Sequence, residues 1–155
     1  MAIAPNTTFV SGAILTAAQQ NAFGFSTVGL TTSTSLAQGG VTSIVDLTGM
    51  SVTFTAIANR NYKISAFMYA IPTVTNACAS LSIREASTTL QTIITNLGVA
   101  NVGTTMTGYV IKTFTAGSTT VKLSGALTTG STGTINFTCA ATLPVSILVE
   151  DIGPS

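Results

Sequence analysis

The sequence predicts an all-β chain: a two-sheet antiparallel β-sandwich preceded by a short N-terminal helix and an extended arm. Three observations lead there. From Val41 onward apolar and polar residues alternate with period two, as in Val52-Thr53-Phe54-Thr55, which marks strands with one dry and one wet face. Clusters of Asn, Gly, Ser and Thr interrupt that alternation at intervals of roughly ten residues, the rhythm of turns in an all-β domain. Charged residues make up only 6% of the chain, against roughly 25% in ordinary soluble domains, so the Glu- and Lys-rich faces of surface helices are missing.

In chain order, the first element is the helix. Thr16 followed three residues later by Gln19 forms a capping box, whose hydroxyl and amide satisfy free backbone N–H groups, and predicts a helix over residues 17–23 that stops at Gly24. Ser26 to Gly40, rich in Thr, Ser and Gly, reads as an extended linker with little core of its own. Residues 1–40 are therefore expected to be an arm, and residues 41–155 the sandwich. A helix shorter than about 12 residues is marginal in water, so the arm should gain order only against a neighbour. Phe9, Ile14, Leu15, Phe23 and Phe25 are its expected docking residues.

The strands follow. Val52 and Phe54 alternate with Thr53 and Thr55; Leu81 and Ile83 with Ser80, Ser82 and Arg84; Val121 and Leu123 flank Lys122; Ile135, Phe137 and Cys139 alternate with Thr134, Asn136 and Thr138. Turns are expected at Ala58 to Asn61, Thr73 to Asn76, Asn96 to Gly103, Ala116 to Ser118 and Thr128 to Gly133. About eight strands in one domain of this size predict the jelly-roll type of sandwich.

Two strands break the alternation. From Tyr62 to Ile71 one parity carries Tyr62, Ile64, Ala66, Met68 and Ala70 while the other carries Phe67, Tyr69 and Ile71; from Val145 to Glu150, Leu148 stands opposite Val145, Ile147 and Val149. A strand apolar on both faces is central in a thick core or pressed against another subunit. Phe67, Tyr69, Ile71 and Leu148 are thus expected at a subunit interface. A chain that is 46% hydrophobic and nearly uncharged needs such a cover, and closed cyclic symmetry is its usual form.

Charge and hydropathy exclude several partners. The net charge is +1 and the cations Arg60, Lys63, Arg84, Lys112 and Lys122 are scattered, so no nucleic-acid footprint exists. Apolar runs are broken well short of the roughly 18 residues a spanning helix needs. The aromatic girdles of a membrane barrel are hard to assemble from three Tyr and no Trp, so no membrane partner is expected. Met1 to Gln20 contains no Lys or Arg and is interrupted by Pro5, Asn6 and Gly12, so no secretory signal is expected either.

Catalytic chemistry is not expected. The absence of His removes the commonest general base and metal ligand. Adjacent Glu150 and Asp151 point to opposite faces of a strand, and Asp46 and Glu85 stand apart; all four read as solvated or turn-capping carboxylates, although Asp46 and Glu85 are the pair a glycosidase would need. Cys78 and Cys139 fit no metal spacing and fall on opposite strand parities, which predicts free, partly buried thiols; no metal or cofactor site is expected. The sequons at Asn6 and Asn136 read as chance matches, and Gly125 to Gly133 as a hairpin loop rather than a phosphate cradle. Tyr62, Tyr69 and Tyr109 could line a sugar site, but Tyr scattered on strands is more often core or interface.

Two segments together carry a resemblance. Phe9-Val10-Ser11-Gly12-Ala13-Ile14-Leu15-Thr16-Ala17-Ala18-Gln19-Gln20-Asn21-Ala22-Phe23 resembles the leader of small virion proteins of tailed bacteriophages, and Leu148-Val149-Glu150-Asp151-Ile152-Gly153-Pro154 resembles the closing strand of jelly-roll modules in such phages, particularly those of actinobacteria. Val52 to Thr55 followed by Arg60 to Ile64 looks like the first long hairpin of the same module. The resemblance implies a jelly-roll homotrimer, without catalytic residues, whose arm docks on other virion proteins of capsid or tail. It would be assembled in the host bacterial cytoplasm and carried on the virion.

Three functions are compared on that basis. The first is a capsid decoration (cement) or tail-associated protein. The second is a carbohydrate- or receptor-binding jelly-roll module of a phage fibre, reading a host-surface glycan through Asn76, Asn101 and Tyr109. The third, a depolymerase using Asp46 and Glu85, is disfavoured by the missing acid–base pair.

Overall fold

A computed structural model describes residues 26–155, and these form ten strands. They are β1 (Ser26–Ser33), β2 (Ala37–Val41), β3 (Val45–Ala56), β4 (Arg60–Pro72) and β5 (Ala77–Glu85), then β6 (Thr88–Leu97), β7 (Thr104–Thr113), β8 (Gly117–Leu127), β9 (Ile135–Thr138) and β10 (Val145–Pro154). All pairings are antiparallel. One sheet has six strands, in the order β1-β10-β4-β9-β2 with β7 also on β4; the other has four, in the order β3-β8-β5-β6.

The ten strands reduce to a four-on-four plan. On β4, β10 pairs with Arg60 to Phe67 and β9 with Tyr69 to Pro72, while β7 runs along the opposite edge. Thus β9 and β10 are two halves of one long strand, broken at residues 139–144. β1 and β2 break in the same way, since β1 pairs with β10 and β2 with β9. Counting each broken strand once gives eight, with β1/β2 and β7 bounding one sheet and β3 and β6 the other. That is the jelly roll, the two sheets approaching each other where β1 meets β3 and β6 meets β7.

The core follows from strand parity. Tyr62, Ile64, Met68 and Ala70 of β4 and Val145, Ile147 and Val149 of β10 face Leu81 and Ile83 of β5 and Val121 and Leu123 of β8, all buried. At one end Phe54, Tyr62 and Phe114 form a ring cluster with centroids 5.1 to 5.8 Å apart. The Tyr62 hydroxyl accepts the Ile57 N–H at 2.8 Å, so its one polar atom is satisfied inside the core. Tyr62 is therefore structural and lines no sugar site. Asn59, Asn76 and Asn101 take the left-handed conformation in the turns, as their short amides allow.

The stretch read as a linker is a correction. Ser26 to Ser33 and Ala37 to Val41 are strands of the sandwich, and a boundary at Val41 falls at the end of the first long jelly-roll strand. The period-two signal is weak there because this is an edge strand whose side chains are mostly exposed. Its order comes from backbone pairing with β10 and β9. Gly29 lies so close to β3 that a Cβ on it would come 2.2 Å from Val52 Cγ1. Two amides repair the irregular places: Gln38 Oε1 accepts the Thr48 N–H at 3.1 Å where β3 leaves β8, and Asn136 Oδ1 accepts the Gly40 N–H at 2.9 Å where β2 leaves β9. The predicted helix over residues 17–23, and Phe9, Ile14, Leu15, Phe23 and Phe25, lie outside the described residues.

Candidate functional site

The two outer faces differ in chemistry. On the four-stranded sheet the outward residues are Ser51, Thr53 and Thr55 of β3, Ser118, Thr120, Lys122 and Ser124 of β8, Ser80, Ser82 and Arg84 of β5, and Thr92, Asn96 and the exposed Ile94 of β6. Asp46 gathers the charges of that face: it accepts from Lys122 Nζ, from Ser124 Oγ at 2.6 Å and from Arg84 at 3.4 Å. Hydrogen bonds from Lys122 first and Ser124 second, then the two positive charges, hold its carboxyl below the usual carboxylate value despite partial burial. A carboxylate so engaged is an anchor for three neighbours.

The outer face of the six-stranded sheet mixes large apolar side chains with hydroxyls. Register sets its rows: Leu30, Leu148, Ser65 and Tyr109 lie side by side across β1, β10, β4 and β7; Thr32, Ser146, Phe67 and Thr107 form the next row. Tyr69 and Ile71 continue down β4, and Ile111 lies beside Lys63. Leu30, Tyr109 and Ile111 are 58%, 60% and 52% exposed. A shallow groove of about 620 Å³ runs between Phe67, Leu148, Tyr109 and Ile111. The charges set on this face are Lys63 and Glu150, which pair with each other at 3.4 Å, and the Lys63 ammonium also lies 5.6 Å from the centre of the Tyr109 ring. Their pairing leaves the face electrically neutral.

Phe67, Tyr69, Ile71 and Leu148, singled out from the sequence as doubly apolar, all lie on this one face, half-buried. Leu30 and Ile111 complete it and were not foreseen, whereas Tyr109, also on this face, had been expected in the core or an interface. In Thr104 to Thr113 the alternation is blurred, because Gly108 occupies an inward position where a Cβ would come within 2.7 Å of the Ile93 side chain. Of the residues considered for glycan reading, Asn76 and Asn101 are turn residues at one end of the sandwich, whereas Tyr109 stands mid-strand on the outer face of the six-stranded sheet. They do not converge.

The remaining candidates resolve simply. Glu150 points outward to Lys63 and Asp151 inward, 5% exposed, where it pairs with Arg60 and accepts the Gly153 N–H at 3.0 Å. It is neither solvated nor at a turn: Asp151 is buried and both partners lie on strands, Arg60 on β4 and Gly153 within β10. Its hydrogen bond to Arg60 raises that guanidinium above its ordinary value. Cys78 and Cys139 are free and half-buried, and Cys139 Sγ accepts the Leu36 N–H. Among the described residues no cluster of three or more His, Cys, Asp or Glu could hold a metal.

The chain matches no family model, and no curated protein matches it. Solved structures do match in fold. The Eiger TNF of S. frugiperda is 12% identical, with 84% of this chain and 94% of that one aligned at a TM-score of 0.53. The globular domain of the zebrafish complement 1qA protein is 12% identical over 83% and 98% of the two chains, TM-score 0.49. The tripod from the baseplate of bacteriophage Tuc2009 is 15% identical over 92% and 70%, TM-score 0.43. The first of these likenesses agrees with the jelly-roll order read from the strand pairing.

Proposed function

We propose that this chain is a non-enzymatic structural protein of a tailed-bacteriophage virion, a trimeric capsid-decoration or tail-associated protein. Copies pack through the outer face of the six-stranded sheet, and the leading segment with Phe9, Ile14, Leu15, Phe23 and Phe25 docks on the particle. The observation that carries the reading is the contrast between faces. One face is hydroxyl-rich and charged; the other is neutral and exposes Leu30, Tyr109 and Ile111 beside Phe67 and Leu148. A groove that brings Phe67, Leu148, Tyr109 and Ile111 together on so weakly charged a chain supports a permanent neighbour. The virion assignment rests on the leader and closing-strand resemblance, and the absence of enzymatic activity on the missing His and on Asp46 being held by three donors.

Light scattering on the purified protein tests the oligomer, and co-sedimentation with particles tests the docking. The expected results are a trimeric mass and particle binding that disappears when residues 1–25 are removed. The truncation has to stop there, because Ser26 opens a strand. A monomer at high concentration, or a truncated chain that still binds at full strength, defeats the proposal.

A further inference from the structure

The register of the sheets gives the sandwich two distinct ends. Ser26 pairs with Asp151, Asp151 with Tyr62 and Tyr62 with Lys112, so one row across β1, β10, β4 and β7 marks the end where the described chain begins. The C-terminus leaves at the same end, since the Ser155 N–H donates to Asn59 O at 3.0 Å and Asn61 Nδ2 to Pro154 O at 3.2 Å. The connections at residues 57–59 and 114–116 lie there too. The opposite end is set by Ala70 opposite Thr104, Pro72 opposite Ile135 and Ala77 opposite Leu97. It carries the connections at residues 42–44, 73–76, 98–103 and 128–134, the last three tied by Asn101 N–H to Pro72 O at 2.8 Å and Thr73 N–H to Thr134 O at 3.0 Å. None of these four connections contains a charged residue.

We infer that the sandwich stands on the particle on the end where Ser26 and Ser155 emerge, and presents the uncharged loops at residues 42–44, 73–76, 98–103 and 128–134 outward. The inference rests on the proposed arm docking. Phe25 immediately precedes Ser26, so a docked arm holds that end of β1 within a residue or two of the surface, a few ångströms at about 3.3 Å per extended residue. Closed cyclic symmetry strengthens the argument: when copies pack face to face around one axis roughly along the strands, equivalent ends point the same way, and every arm leaves on the same side of the ring. The outward tip then offers hydroxyls, the amides of Asn76 and Asn101 and the exposed Val99 and Val102. Whatever meets it is met without ion pairs.

Two epitope-tagged chains test the orientation, one with the tag between Gly130 and Ser131 and one with it after Ser155. Both are bound to particles and probed with the same antibody, with thermal unfolding of each variant as the control for folding. The expected result is that the loop tag keeps its full antibody binding per copy on the particle, whereas the C-terminal tag loses it at least tenfold or prevents docking. Maleimide labelling of Thr132→Cys and Ser155→Cys, each in a chain whose free Cys78 and Cys139 are replaced by Ser, gives the same comparison with small changes to the fold. Protection of the loop position, or equal access at both ends, overturns the orientation while leaving docking intact. Failure of the untagged full chain to bind particles overturns the docking reading itself, and the orientation with it.

Discussion

The Lys63 ammonium sits over the Tyr109 ring, 5.6 Å from its centre, and also pairs with Glu150 at 3.4 Å. One cation thus serves a carboxylate and an aromatic face, neutralising a surface otherwise built from Leu30, Phe67, Leu148 and Ile111.

Tyr109 is 60% exposed, so replacing it disturbs an interface more than the fold. Tyr109→Asp is expected to weaken self-association by about 2 kcal/mol or more, roughly thirtyfold, with little change in the unfolding of the monomer. Concentration-dependent light scattering reads the effect. An unchanged oligomer would remove this face from the interface.

Asp151 is buried, and its partners Arg60 and the Gly153 N–H anchor the end of β10. Removing one member of a buried pair leaves the other poorly solvated, so Asp151→Ala should lower unfolding stability by about 3 kcal/mol in urea titrations. Asp151→Asn, which retains an acceptor, should cost less.

Asp46 gives the pH dependence. Its folded carboxyl titrates below the 3.8 of an unperturbed aspartate, so its contribution is complete above that value and is lost as pH falls through the folded value, because the unfolded chain takes up the proton first. Acid titration of stability should therefore show a decline below about pH 4 that is smaller in Asp46→Asn. Arg60 is shifted the other way, upward, so its contribution is intact throughout the ordinary pH range and adds no slope there.

Ala86 begins the two-residue connection between β5 and β6 with φ of 50°, a left-handed conformation that a Cβ disfavours. Ala86→Gly should stabilise the fold by about 0.5–1 kcal/mol, the relief of strain exceeding the added freedom of the unfolded chain. A higher midpoint in thermal unfolding is the expected reading.

Gly125 is buried against Phe137, whose ring would lie 2.2 Å from a Cβ at that position. Gly125→Ala is expected to cost about 1–3 kcal/mol by overpacking. A Phe137→Leu change in the same chain should return part of the loss, which a double-mutant cycle measures.

Much of the fold is legible in the residues. Strands such as Val52 to Thr55 and Ile135 to Thr138 alternate cleanly because one of their faces is wet, and Asn59, Asn76 and Asn101 mark turns because only short amides and glycine enter left-handed backbone easily. The doubly apolar strands Tyr62 to Ile71 and Val145 to Glu150 point to the half-buried outer face. Ser26 to Gly40 is illegible in the same terms, since an edge strand is held by backbone hydrogen bonds that any sequence can make.

The sequence by itself determined the class: alternation, turn residues and the scarcity of charge admit an all-β sandwich with something left to cover. Only the tertiary structure decided which residues share a face. Leu30, Leu148 and Tyr109 are far apart in the chain and adjacent in the sheet, and their meeting depends on the register of β1, β10, β4 and β7. Register is a property of paired strands, and no local pattern of one strand encodes it.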